Sequence, residues 1–309
     1  MPETFKLIET ASSNVLDIWQ VESNGHARCL LSYLGHLTIR DNKSLLDELS
    51  ELYPTADRAY SQDPKNLTVQ KIDRHFGEYH SRVFRPSWRQ EWRDSPAYIP
   101  PPRDNIALSN ALTQLEALKA LLSSIFRTVE PDQKNFSAYG HEIRNLMLIA
   151  CTEVESQLKA VLLANNISAQ GNSYSTRDYV KLSKSLKLKE YSMRVASYPQ
   201  IGVRMPFKDW NSSAPTKSLD WYDAYNAVKH DRENSFCRAM LVHAIDAVLA
   251  CAILLEAQYG WIPLFRDQRT SEYVCFEKRP NWTEDEQYLP HRKSGLNHAP
   301  WTSHVDLVL

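Results

Sequence analysis

The stretch DAYNAVKHDRENSF, residues 223–236, sets Asn226, Lys229, His230, Asp231 and Arg232 within two helical turns and flanks them with Tyr225 and Phe236. A histidine titrates near neutral pH, so it can take a proton from one group and return it to another. Nearby ammonium and guanidinium groups hold the charge that develops on phosphate oxygens. The chemistry open to such a group is attack on a phosphodiester without a metal. On a helix, Tyr222, Asn226 and the pair Lys229/His230 recur at i, i+4 and i+7/i+8 and share one face. The helix is expected to end near Asp231, with Asn234 or Ser235 capping the next one. His230 then falls in a last turn, where the macrodipole favours a cation. The plainer alternative is a solvated helix end, with its cations placed by the dipole and Asp231 paired to Arg232.

Three further stretches could add to that chemistry. In GHEIRNL (140–146), His141, Arg144 and Asn145 share a face at the start of a long helix. In a bundle this end can approach the 230 corner, and Arg144 is then a second source of positive charge; the alternative is an ordinary solvated helix start. Residues 176–208 carry Arg177, Lys181, Lys184, Lys187, Lys189, Arg194, Arg204 and Lys208 against only Asp178 and Glu190. Such a patch can hold phosphates even in a chain that is neutral overall, and Lys181, Lys184 and Lys187 are its nucleic-acid candidates. It reads equally well as a solubilising loop. RHFGEYHSRVFRPSWRQEWR (74–93) interleaves arginines with Phe76, Tyr79, Phe84, Trp88 and Trp92. Arginine among stacking rings suits single-stranded RNA. Trp88 and Trp92 at i, i+4 favour a packed helix face instead.

The elements that must position these residues are mostly helical. Leu108, Leu112, Leu115, Leu118, Leu122 and Ile125 form one apolar stripe, and Ile143, Met147, Ala150, Val154, Leu158 and Val161 form a second. A long polar stretch, 165–217, contains a short helix at TRDYVKLSKSLKL. SLDWYDAYNAVKHD and SFCRAMLVHAIDAVLACAILLEAQ complete four helices, the last two close enough in sequence to run antiparallel. Residues 1–104 read as a mixed α/β region: NVLDIWQV (14–21) and HLTIRD (36–41) are strand-like, 42–53 is a short helix with Asn42 as its cap, and 66–84 is a second helix. Three prolines at 100–102 place a boundary near 104. Residues 261–309 read as an extended tail that packs on the N-terminal region. The expected fold is therefore mainly α: a bundle over 105–260, with a basic insertion at 166–217, between a mixed N-terminal region and an extended C-terminal tail.

Composition excludes several classes. Thirty-six Lys and Arg against thirty-seven Asp and Glu leave a net charge of −1, so any nucleic-acid surface must be local. Eight glycines leave little room for phosphate-cradling loops. No P-loop, dinucleotide fingerprint, Gly-x-Ser-x-Gly elbow, HExxH or paired CxxC occurs, so no metal and no cofactor is implied. Five cysteines without close pairs read as reduced thiols. No signal peptide is read at the N-terminus, and Leu241 to Leu255, broken by His243 and Asp246, is too short to span a bilayer. A soluble, cytoplasmic protein without a membrane partner is expected.

Four helices with a polar turn before the last, reading YNAVKHDRENSFCRA, resemble HEPN domains over roughly residues 105–260. The resemblance implies an all-α, often dimeric module of a kind that includes metal-independent endoribonucleases of toxin–antitoxin and antiviral defence systems. The family pattern is an arginine followed about four to six residues later by histidine, often with asparagine directly after the arginine. Asn226 and His230 match the asparagine and the histidine, and Tyr225 stands in the arginine's place. His230 is thereby implied as catalytic and Asn226 as orienting it. Lys229, Arg232 and Arg144 are the phosphate-holding cations read from the residues themselves. A missing arginine marks non-catalytic or altered members of that family. Two readings stay open: a homodimeric protein that binds or cleaves RNA, and a non-catalytic scaffold that keeps the bundle for dimerisation.

Overall fold

The computed structural model describes residues 2–10, 12–29, 36–52, 66–87, 101–260, 273–290 and 301–309. The chain divides into two compact units. One comprises Met1–Tyr79, Ser87–Arg89 and Gln287–His304; the other comprises His80–Pro86, Gln90–Glu286 and Val305–Leu309.

The first unit is built on an antiparallel sheet of β1 (Glu3–Glu9), β2 (Val15–Val21), β3 (His26–Cys29), β4 (His36–Thr38) and β5 (Leu67–Ile72), in the order β4-β3-β2-β1-β5. Phe5 pairs with Trp19, and Leu7 with Val69. Helix α1 (Leu45–Leu52) follows β4 and lays Leu45 and Leu49, one turn apart, on a core of Leu7, Trp19, Ala27 and Leu67. Ser44, not Asn42, caps it: Ser44 Oγ accepts from the Asp47 N–H at 3.2 Å, and the Asp47 carboxylate accepts back from the Ser44 N–H at 2.8 Å. Arg40 clamps the helix by donating to Glu48 Oε1 from its backbone N–H, at 3.0 Å, and from Nε, at 2.7 Å. A further short strand, β6 (Glu78–Tyr79), pairs in parallel with Ser303–His304.

The second unit contains the helices. Asp104 caps α2 (Asn105–Phe126), accepting from the Ile106 and Ala107 N–H groups. The apolar stripes of α2 and α3 (His141–Ala164) are buried as their spacing requires, except Leu112, which is half-buried. Short helices α4 (Thr176–Tyr179) and α5 (Leu182–Ser185) lead to β7 (Ser192–Val195); α6 (Asp220–His230) and α7 (Arg232–Ser235) precede α8 (Leu241–Tyr259), and β8 (Val274–Lys278) pairs antiparallel with β7. Every residue of α8 except Val242 and His243 is buried, so it is the central helix. By length and composition alone its 19 residues could cross a membrane, and 89% of its apolar window lies inside the protein. Its charged residues are paired: Asp246 takes both Nε and a terminal nitrogen of Arg204, at 2.8 and 2.5 Å, and Glu256 takes Arg279. Two contacts align α3 with α8: Cys251 Sγ on Ala150 O, and Gln258 on Gln157. Each joins residues 101 positions apart in sequence, so the two helices run in the same direction.

The expectation of a mainly α chain is therefore corrected. Among the described residues helix accounts for 44% and strand for 18%, with the five-stranded sheet at the N-terminus, and the class is mixed α/β. The expected second helix over 66–84 is also overturned: LTVQKI, with β-branched Thr68, Val69 and Ile72, is edge strand β5. The sheet is hard to read because its partners are remote in sequence, with Leu7 facing Val69, and because β3 and β4 are too short to show alternation.

Candidate functional site

Helix α6 begins with Asp220 and Asp223 in its first turn and ends with Lys229 and His230 in its last, each sign where the dipole favours it. Trp221, Tyr222, Ala224, Tyr225 and Val228 form its buried face. Asp231 breaks the helix and caps α7, accepting from the Asn234 backbone and side chain, so its carboxylate is held by Asn234 and not by Arg232. Helix α8 starts after Met240, which provides no side-chain cap.

The aromatic side of α6 carries a row of polar contacts. The Tyr222 hydroxyl donates to Glu155 Oε1 over 2.5 Å. Its ring stands edge-on to Tyr225 with centroids 5.4 Å apart. Lys229 Nζ donates to the Tyr225 hydroxyl at 2.9 Å. Burial, with the bond to the Glu155 carboxylate, pushes the Tyr222 phenol well above its ordinary range. The bond to Tyr225 and the Glu155 charge hold Lys229 above its ordinary value against burial. Tyr179 is raised to about 12, mainly by burial and then by Glu155. Sequence reading did not single out Glu155, Tyr179 or the hydroxyls of Tyr222 and Tyr225, because nothing in the spacing of α3 and α6 shows which residues face each other.

The candidate catalytic pair takes no part in the side-chain hydrogen bonds of that row among the described residues. Asn226 Nδ2 donates back to Tyr222 O of its own helix at 3.3 Å. His230 is exposed, as is Arg232, and neither has a hydrogen bond or ion pair among the described residues. Tyr225, at the position of the family's arginine, is 1% exposed. Arg144 is half-buried; a terminal nitrogen reaches Asn145 Oδ1 at 3.3 Å, and its Nε is buried without a hydrogen-bond partner among the described residues. The start of α3 does come to the segment after the corner: the His141 ring lies 4.9 Å from Phe236, whose ring also meets Tyr139 at 5.8 Å. No hydrogen bond joins Arg144 to His230 or Asn226 among the described residues.

The basic stretch is partly neutralised. Lys187 Nζ donates to Asn281 O and Glu286, both at 2.7 Å, and stands 4.9 Å from the Trp282 ring. Arg194 pairs with Glu277, and Arg204 with Asp246. Lys181 is half-buried near Asp178; burial raises that carboxyl, but the Gln170 and Ser175 N–H groups outweigh it and hold it below its ordinary value. Arg177, Lys184, Lys189 and Lys208 remain exposed. Of the 74–93 stretch, Trp88, Arg89, Trp92 and Arg93 lie outside the described residues, and Arg82 donates to Gln258 Oε1 at 2.8 Å. Set against known proteins, the chain matches no family model, no curated protein and no solved structure.

Proposed function

We propose that the second unit is a HEPN-like module that binds RNA without cutting it. The observation that carries this reading is the bond from Lys229 to Tyr225. A phosphodiester-cleaving site needs a cation free to follow the charge that grows on phosphate. Here the arginine's position holds a buried phenol, and the nearest ammonium is tied to that phenol. Exposed Arg177, Lys184, Lys189 and Lys208 support an electrostatic RNA surface, and His141, Tyr139 and Phe236 supply rings on which bases can stack.

The test incubates the full chain with mixed RNA in EDTA, beside His230→Ala, and measures binding by gel shift across salt concentrations. Retention of intact RNA by both proteins, with affinity falling as salt rises and falling further in Lys181→Glu/Lys184→Glu, is the expected result. Cleavage by the parent and none by His230→Ala would replace this reading with that of a metal-independent endoribonuclease. A second reading, a dimerising scaffold in a defence system, draws on the pairing of Lys187, Arg194 and Arg204, which leaves fewer cations for RNA. It predicts a stable dimer by sedimentation and no RNA shift at any salt.

A further inference from the structure

A cleft of about 340 Å³ lies in the second unit, walled by residues 80–84 and 101–104 and by the last turns of α3 and α8. It stands at the opposite end of α3 from His141, about 35 Å away along the axis. Its walls are tied down. The Phe84 N–H donates to Ala257 O over 2.9 Å and satisfies one of the terminal carbonyls of α8. Asn165 Nδ2 donates to Ser81 O over 2.8 Å.

A relay of side chains then fixes one cation. Arg82 Nε donates to Gln258 Oε1 at 2.8 Å, Gln258 Nε2 to Gln157 Oε1 at 3.1 Å, and Gln157 Nε2 to Glu153 Oε1 at 2.8 Å. Each amide is oriented by the next, ending on a carboxylate, so the acceptor end of Gln258 is presented to Arg82. The guanidinium is held through Nε and stands 5.4 Å from the Tyr259 ring. Its two terminal nitrogens have no acceptor among the described residues.

Two more groups in the cleft are unused. Tyr259 is 6% exposed, and its hydroxyl is buried with no hydrogen-bond partner among the described residues. Folded proteins rarely leave such a group unsatisfied. Burial raises this phenol above its ordinary range, so it is a donor at neutral pH; Arg82 and Arg103 oppose the rise and Asp104 adds to it. Arg103 is exposed on the cleft wall and makes no hydrogen bond or ion pair among the described residues.

We propose that this cleft binds a small organic phosphate of nucleoside monophosphate size, its phosphate oxygens set between the Arg82 and Arg103 guanidiniums and accepting a hydrogen bond from the Tyr259 hydroxyl. Paired guanidiniums match the several oxygens of a phosphate better than a single carboxylate does. The volume sits at the lower end of the range of small-molecule sites, about 300–1,000 Å³. Pro101, Pro102 and Leu163 offer apolar wall to the organic part. The carboxyl ends of α3 and α8 oppose an anion here, but that dipole effect is weaker than two charge-assisted hydrogen bonds.

Titration calorimetry on the full chain with AMP, GMP, CMP and UMP, beside inorganic phosphate and succinate, tests the assignment. At least one nucleotide binds saturably and more tightly than either small anion. Arg103→Ala weakens it about tenfold and Tyr259→Phe about threefold to tenfold. Both variants keep the parent's melting temperature without ligand, since among the described residues Arg103 has no hydrogen bond or ion pair to lose and the Tyr259 hydroxyl has no hydrogen bond to break. No saturable binding of any nucleotide up to about 10 mM overturns the proposal. So does preference for succinate or inorganic phosphate, or an affinity unchanged in both variants.

Discussion

Lys229 Nζ lies 2.9 Å from the Tyr225 hydroxyl and 5.0 Å from the centre of the same ring, so one aromatic side chain holds the ammonium through both its oxygen and its π face. Tyr225→Phe keeps the ring contact and removes the hydrogen bond. Because Lys229 can turn to water, the loss is about 1 kcal/mol by urea denaturation. Tyr225→Arg restores the arginine of the family pattern on paper, but it places a guanidinium where the phenol is 1% exposed, against Tyr222. The expected outcome is a loss of about 3–5 kcal/mol and no gain of RNA cleavage. A stable Tyr225→Arg protein that cuts RNA in EDTA would contradict it.

Lys187 and Lys184 look alike in sequence and differ in role. Lys187 bridges the 182–190 stretch to Asn281, Trp282 and Glu286. Lys187→Ala is expected to lower stability by about 1–3 kcal/mol, whereas Lys184→Ala, at an exposed site, changes it by less than about 0.5 kcal/mol. Paired thermal melts of the two variants decide this; equal melts would refute the distinction.

Gly260 ends α8 at φ +79°, and a Cβ there would stand 2.7 Å from the Phe84 ring. Gly260→Ala meets a backbone penalty and a steric one together, with an expected loss of about 2–4 kcal/mol. Adding Phe84→Leu should recover part of that loss. Denaturant midpoints of the single and double variants measure it.

The Arg40 side chain and backbone N–H hold the Glu48 carboxyl down at about 2, from an ordinary value of 4.5. The folded value is the lower one, so the contribution is present above pH 4.5 and is lost as pH falls toward 2. The protection factors of the β1 and β2 amides, taken against intrinsic exchange at each pH, should therefore fall over that window. Glu48→Gln should exchange faster at neutral pH and show a flatter acid response. An unchanged acid response in that variant would place the transition on other groups.

The helices of the second unit were legible because their faces repeat. Leu108 to Ile125, with Leu112 half-buried, and Ile143 to Val161 are buried at the spacings that predict it. The α6 corner was legible too, since Asp231 stops the helix where cations gather. What spacing cannot carry is pairing across the chain. Nothing local shows that Leu7 will face Val69, that Tyr222 will meet Glu155, or that Arg82 will find Gln258. The basic run 176–208 illustrates the same limit. Its charge is plain in one dimension, but Glu277, Glu286 and Asp246, which take three of its cations, lie far along the chain.

Because α3 and α8 lie side by side pointing the same way, no tight hairpin can bring them together. The chain must travel back along the full length of α3 before α8 can begin. Their contacts join residues 101 positions apart. Closing a loop of that length carries an entropic term of roughly 4 kcal/mol. The central interface therefore cannot nucleate early, and α2 with α3, neighbours in sequence, has the kinetic advantage. Formation of the α3–α8 seam is therefore the step expected to limit refolding of this unit, making it slow for its helix content, which stopped-flow refolding measures.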